Sequence, residues 1–142
     1  MNKKYKILTT FVKDLSSKIP DVESFLYLKD NIPNYLLGID INSKPLKNNM
    51  AEVDMKLTFE DKNKKENRTL FELTYAIVTK VEQEAVNKEE LQKIFLRDVP
   101  NEIYPEIEKI FMDIIKLCGY PELKLEKKIN FTELFEKNMN QK

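Results

Sequence analysis

Hydrophobic and polar positions alternate most cleanly between residues 50 and 60. There Ala51, Val53, Met55, Leu57 and Phe59 interleave with Glu52, Asp54, Lys56, Thr58 and Glu60. A period of two sets one group against a core and the other in water, which predicts a strand of an antiparallel sheet. The run 69–81 repeats the pattern, with Phe71, Leu73, Tyr75 and Ile77 inward and Glu72 and Thr74 outward. Residues 34–42 place Tyr35, Leu37, Ile39 and Ile41 on one side, and 5–17 alternate loosely through Tyr5, Ile7, Phe11 and Val12. Four strands in succession predict a meander-like sheet. Between the first two, residues 18–33 are bounded by Pro20 and Pro33 and read as a long connection. It carries Ile19, Val22, Phe25, Leu26, Tyr27, Leu28 and Ile32, which is greasier than a solvent loop needs. Either it closes over the sheet or it walls a groove that accepts apolar segments from another chain. Asn42 to Asn49 reads as a turn around Pro45, and DKNKKENR at 61–68 as a solvated hairpin loop.

After residue 81 the period changes. Asn87 with Glu90 has the spacing of a helix cap and its box partner, and a helix to about Arg97 shows Leu91, Ile94 and Phe95 on one face. The main helix is predicted over about 102–118, ended by Gly119 and barred from continuing by Pro121. Pro105 fits a first turn but not an interior, which moves the expected start toward Tyr104. A last helix runs from Asn130, with Glu133 as box partner, through Phe131, Leu134 and Phe135. The expectation is an α+β fold: a four-stranded antiparallel sheet over about 5–81, with helices over about 88–137 packed on one face, in a single domain spanning 1–142. On the main helix, Ile107, Ile110, Phe111, Ile114, Ile115, Leu117 and Cys118 spread over an arc of about 160°. One covering layer rarely needs so wide a face, so both core packing and subunit contact are open readings for it.

Composition narrows the function. Lys+Arg and Asp+Glu both number 24, and a formal net charge of zero argues against a general nucleic-acid binder, whose affinity rests on neutralising phosphates. The same balance removes one safeguard against association. The chain has no histidine, which excludes Ser-His-Asp and Cys-His nucleophile systems and the commonest zinc ligand. Its two glycines, Gly38 and Gly119, cannot build a phosphate-cradling loop or a dinucleotide fingerprint. Paired carboxylates at Glu82/Glu84 and Glu89/Glu90 read as solvated surface among 24 acidic residues. The single cysteine, Cys118, lies on the apolar arc and reads as a small buried hydrophobe. No catalytic residue, metal site or cofactor is therefore expected. The opening MNKKYKILTTFVKD lacks an uninterrupted apolar run and a small-residue cleavage site, and no stretch approaches a membrane span. A cytoplasmic protein without stable membrane insertion is the reading.

Four short elements, in order, resemble the SecB family of protein-export chaperones over roughly residues 10–137. FVKDLS at 11–16 is similar to the family's opening strand, and VPNEIYP at 99–105 to its Cys-Pro-x-x-apolar-Phe-Pro element. GYPEL at 119–123 resembles Gly-Phe-Pro-x-Leu, and INFTELF at 129–135 resembles the start of the family's last helix. The resemblance implies an ATP-independent holdase that keeps unfolded secretory precursors translocation-competent and passes them to the SecA motor. It also implies a homotetramer, a dimer of dimers with the long helices between dimers. Ile107, Ile110, Phe111, Ile114 and Ile115 are then candidates for subunit contact, and Val22, Phe25, Leu26, Tyr27 and Tyr104 for client binding. Asp14 and Glu72 are the candidates for SecA docking, which in the family uses acidic positions on the sheet's outer face. The match is partial there: Lys18 stands at the second acidic position, Thr74 follows Glu72 where Leu-x-Glu is the family pattern, Val99 replaces a cysteine, and FEKNMNQK replaces a long acidic-polar tail. Two further readings compete: a SecB-like chaperone dedicated to one client, such as an antitoxin, and a small-molecule-binding or structural α+β protein.

Overall fold

The computed structural model describes residues 5–63, 68–82, 87–120 and 130–140. Residues 64–67 of the charged loop, Glu84, residues 121–123 of GYPEL, and Ile129 lie outside them. The strands are β1 (Tyr5–Lys18), β2 (Tyr35–Pro45), β3 (Met50–Asp61) and β4 (Leu70–Val81). They form one antiparallel sheet in the order β1-β4-β3-β2. Three hairpin-linked strands are thus joined by a first strand that reaches the far side, a Greek-key order rather than the expected meander. Alternation along a strand reports its two faces and not its neighbour, so it could not separate the two topologies. The β2–β3 turn is tight: Asn48 and Asn49 both take a φ of 61°, and Leu46 N–H donates to Met50 O at 2.8 Å. Asparagine tolerates that left-handed backbone better than most residues.

The connection from β1 to β2 is not irregular. It contains a helix, α1 (Val22–Asp30), followed by a 3-10 turn at Ile32–Asn34. Asp21 caps α1 by accepting from Ser24 N–H at 2.7 Å, and Asn31 closes it, with Pro33 beyond. The register pairs Lys18 with Leu70 and Tyr35 with Asp61, so the segment crosses one end of the sheet from the β1 edge to the β2 edge. Sequence periodicity missed α1 because only Ser24 and Leu28, four apart, are buried, while apolar Val22 and Leu26 point outward.

After β4 come α2 (Lys88–Lys93), a π turn at Ile94–Asp98 and α3 (Val99–Leu117). The π turn is marked by Val99 N–H donating to Ile94 O, five residues back. Pro100, which has no N–H to give, follows at once in the first turn of α3. The main helix therefore starts before residue 102, and Pro105 sits inside it. The expectation that Pro105 marks the start fails because Pro100 already occupies the favourable first-turn place. α4 (Phe131–Asn140) is capped as expected, with Asn130 Oδ1 accepting from Glu133 N–H at 3.1 Å. Its Phe131 meets Tyr104 of α3 edge-on at 5.2 Å.

The core lies between the sheet's inner face and α3. Val53, Met55, Leu57, Phe71, Leu73 and Ile77 are fully buried there with Ile107, Phe111 and Ile115. On α3 the buried stripe is Val99, Ile103, Ile107, Phe111 and Ile115, every fourth residue. At about 100° per residue such a stripe advances by about 40° at each step, so it winds about 160° around the helix. Alongside it run Ile110, Ile114 and Cys118, also four apart and only half-buried. The wide apolar arc is therefore two parallel ridges, the first fully buried and the second half-buried at the margin of the same core.

Candidate functional site

α1 offers apolar side chains to solvent while its underside is fixed. Val22 and Leu26, one turn apart, are 72% and 47% exposed. Phe25 turns inward and stacks on Tyr120 at 4.6 Å with 27° between rings. Tyr27 is half-buried, tilted toward Tyr35 at 6.4 Å, and covered by the Arg68 guanidinium 4.2 Å from its ring centre. Burial, followed by the nearby Asp61 carboxylate, pushes its hydroxyl above the usual tyrosine range. Leu28 is fully buried. Of the sequence candidates for client contact, Val22, Phe25, Leu26 and Tyr27 thus share one helix, with two facing out and two facing the protein. Tyr104 stands apart, on α3 and 8% exposed against Phe131.

Beneath α1 is a buried hydroxyl cluster that sequence reasoning did not find. Thr69, 1% exposed, donates from Oγ1 to Ser24 O at 3.2 Å. The Tyr120 hydroxyl donates to Phe25 O at 3.0 Å and lies 3.3 Å from Thr69 Oγ1. Tyr35 donates to Thr69 O at 3.0 Å. Burial pushes the Tyr35 hydroxyl up to about 12. Tyr120 reaches this place because α3 ends in a left-handed turn. Gly119 has a φ of 109°, its N–H donates to Lys116 O at 3.1 Å, and Tyr120 N–H donates to Ile115 O at 3.2 Å. That is the Schellman pattern. Gly119 was legible as a stop; nothing in a sequence says that the next residue's hydroxyl will meet a threonine 51 positions away.

A second exposed apolar surface runs beside α3. Ile107, Phe111 and Ile115 are buried within the chain, whereas Ile110 and Ile114 are half-buried and Leu117 is 87% exposed. β1, an edge strand, continues this surface. Its register places Val12 opposite Tyr75 and Leu15 opposite Leu73 on the inner face, and they are 45% and 50% exposed. Two irregularities in the β1–β4 ladder, at Leu8 and Lys13, loosen its alternation. This is why β1 looked weakest in the sequence and why its edge residues were not singled out.

The outer face is mostly polar, with Phe11 and Leu36 as exposed apolar residues on it. Asp14 pairs with Thr74 and Ser16 with Glu72, which makes Asp14 and Glu72 diagonal neighbours on one face. Lys13 reaches over β4 to β3 and donates to Glu52 Oε2 at 2.6 Å and Asp54 Oδ2 at 2.9 Å. Its bond holds Glu52 below the usual carboxylate range, while burial raises Asp54. Ala76, opposite Asp54 on this same face, is fully buried. Among the described residues no three metal-ligating side chains gather, and no helix is long and apolar enough to cross a membrane.

Comparison with known proteins gives this arrangement a family. The model for preprotein translocase subunit SecB matches residues 1–142. A putative protein-export protein SecB from Pelagibacter ubique is 44% identical over 140 residues, covering 99% of this chain and all of that one. The protein-export protein SecB of Xanthobacter autotrophicus is 27% identical over 135 residues, covering 95% of this chain and 85% of its own. Among solved structures, a Mycobacterium tuberculosis SecB-like chaperone in complex with a ChAD peptide from the HigA1 antitoxin superposes with a TM-score of 0.64 at 12% identity, over 88% of this chain and 91% of that one. Family match and sequence similarity both run the length of the chain: it belongs to the SecB family of protein-export chaperones.

Proposed function

We propose that this chaperone is an ATP-independent holdase of the cytoplasm, with no enzymatic activity, that captures unfolded secretory precursors on α1 and the surface beside it. The observation that carries the reading is Val22 and Leu26 standing in water on a helix whose other face is locked down. An extended apolar segment laid across them gains ~1.5–3 kcal/mol for each large side chain it buries. The half-buried ridge of Ile110 and Ile114, with Leu117 and the exposed inner-face residues of β1, supports assembly of this single-domain chain into a homotetramer, a dimer of dimers. Asp14 and Glu72, neighbours on the outer face, are the proposed docking positions for SecA. The test joins light scattering of the purified protein to suppression of aggregation of a denatured client without nucleotide. Tetramers that suppress aggregation support the proposal. The double variant Val22→Ser/Leu26→Ser should weaken suppression while leaving unfolding within ~0.5 kcal/mol of wild type, since both residues are exposed. Unchanged suppression in that variant removes α1 as the client site.

A further inference from the structure

Within the cluster under α1, the Thr69 and Tyr120 hydroxyls have two protons and three contacts. Thr69 Oγ1 approaches Ser24 O at 3.2 Å, Tyr120 Oη approaches Phe25 O at 3.0 Å, and the two hydroxyl oxygens lie 3.3 Å apart. Each hydroxyl carries one hydrogen, so all three contacts cannot be hydrogen bonds at once. With both protons given to α1, the helix is tied at two successive carbonyls near its start. If α1 lifts, one hydroxyl can donate to the other, so release strands one donor rather than two. The carbonyls of Ser24 and Phe25 also lose little, because the helical ladder already supplies each with a partner. Such a tie is specific in geometry and shallow in energy.

We propose that the Thr69 and Tyr120 hydroxyls are a reversible latch that sets the pose of α1 and thereby how long an unfolded client is held. They are positioning residues: Thr69 is 1% and Tyr120 4% exposed, and both act through the helix that bears Val22 and Leu26. A helix fixed against the sheet presents those side chains at a constant spacing, so a client does not spend binding energy ordering them. The latch is a property of these particular residues. The family element resembled by GYPEL has phenylalanine where this chain has Tyr120, which keeps the ring and lacks the hydroxyl. The inference rests on the client reading above.

The test uses the full chain with Tyr120→Phe, Thr69→Val and, as rescue, Thr69→Ser, which keeps a hydroxyl. Amide hydrogen exchange across Val22–Asp30 reports the pose of α1, and the dissociation rate of a labelled, carboxymethylated α-lactalbumin reports client holding. Loss of one such hydrogen bond should speed both α1 exchange and client release about three- to tenfold in Tyr120→Phe and Thr69→Val, with Thr69→Ser near wild type. Exchange at the far end of β3 and β4, where Met50 pairs with Lys80 and Val53 with Ile77, should not change. Unaltered α1 exchange overturns the proposal, and so does faster exchange with unchanged or slower client release, because α1 would then be a lid rather than a wall. A wild type that captures no client at all sinks the client reading and this proposal with it. A wild type that captures client while both variants release it at the wild-type rate sinks this proposal alone.

Discussion

The two glycines of the chain should respond to alanine in opposite directions, and the structure sets the size of the difference. At Gly119 the φ of 109° lies where a side chain is disfavoured, and an added Cβ would stand 2.7 Å from Phe25 Cε2 and 3.2 Å from Phe25 Cζ. The backbone conformation costs a non-glycine residue ~1–2 kcal/mol. The clash moves the Phe25 ring off Tyr120, and a stacked aromatic pair contributes ~0.5–1.5 kcal/mol beyond its buried area. Gly119→Ala should therefore cost roughly 2–3 kcal/mol, which for a domain of this length lowers the midpoint of thermal unfolding by about 6–12 °C. At Gly38 the nearest atoms to an added Cβ are Thr58 O at 3.8 Å and Thr58 Cβ at 3.9 Å, ordinary contacts on an extended strand. Gly38→Ala should leave stability unchanged or raise it by ~0.4–1 kcal/mol through the unfolded chain. Scanning calorimetry and urea titration of the two variants measure the gap. A Gly119→Ala protein melting with wild type, or a Gly38→Ala protein melting as low as Gly119→Ala, would refute the account of how α3 ends against α1.

Phe111→Ala, at a fully buried position of the core, should cost ~3–5 kcal/mol by urea denaturation. Tyr35→Phe removes the hydroxyl that donates to Thr69 O and should cost ~1–2 kcal/mol in the same assay. Burial raises the hydroxyl of Tyr35 to about 12, so the stability it contributes is complete below the unfolded value of about 10 and is lost as pH climbs from there toward 12. Tyrosinate absorbance and circular dichroism should then change together over that window. Asp21 is held below the usual aspartate value by the Ser24 N–H, so its cap on α1 is intact above about pH 4 and lost as pH falls further. Protection of the α1 amides, taken relative to their intrinsic exchange rates at each pH, should fall with acid in wild type, and in Asp21→Asn, which still caps, it should not follow the same titration.

Apart from β2, which runs on through Pro45 past its expected end at residue 42, the sheet was legible in the sequence to within a residue or two, because β3 and β4 have one wet face and one dry face, and period-two alternation reports that directly. The order of strands was not, since it depends on where the β1–β2 connection goes. α1 was hidden for a related reason: a nine-residue helix with Ser24 and Leu28 inward and Val22 and Leu26 outward has no simple apolar stripe. The start of α3 was misplaced because two prolines five residues apart compete for one favourable position, and only the π turn at Ile94–Asp98 shows that Pro100 holds it. At the candidate site, the residues of α1 were visible as excess grease. Thr69, Tyr120 and Tyr35 were not, because a buried hydroxyl has no periodic pattern and its partners are remote in sequence.

One magnitude ties the holdase to the assembly. Val22 and Leu26 are already partly shielded, and full burial of two such side chains contributes roughly 3–6 kcal/mol before the client's own ordering is charged against it. A binding free energy near 4 kcal/mol corresponds to a dissociation constant of about 1 mM, too weak for one α1 to hold a precursor. Several α1 surfaces in one particle change this, because each further contact is intramolecular at an effective concentration of about millimolar or more. In the proposed tetramer the half-buried ridge of α3 is the contact to break: Ile110→Asp with Ile114→Asp leaves Ile107, Phe111 and Ile115 in place. That variant should sediment as a smaller species, keep α1 protected from exchange, and lose at least tenfold in client affinity. Subunits that separate and still suppress aggregation at wild-type concentrations would show that a single α1 suffices, and the multivalent account of holding would be wrong.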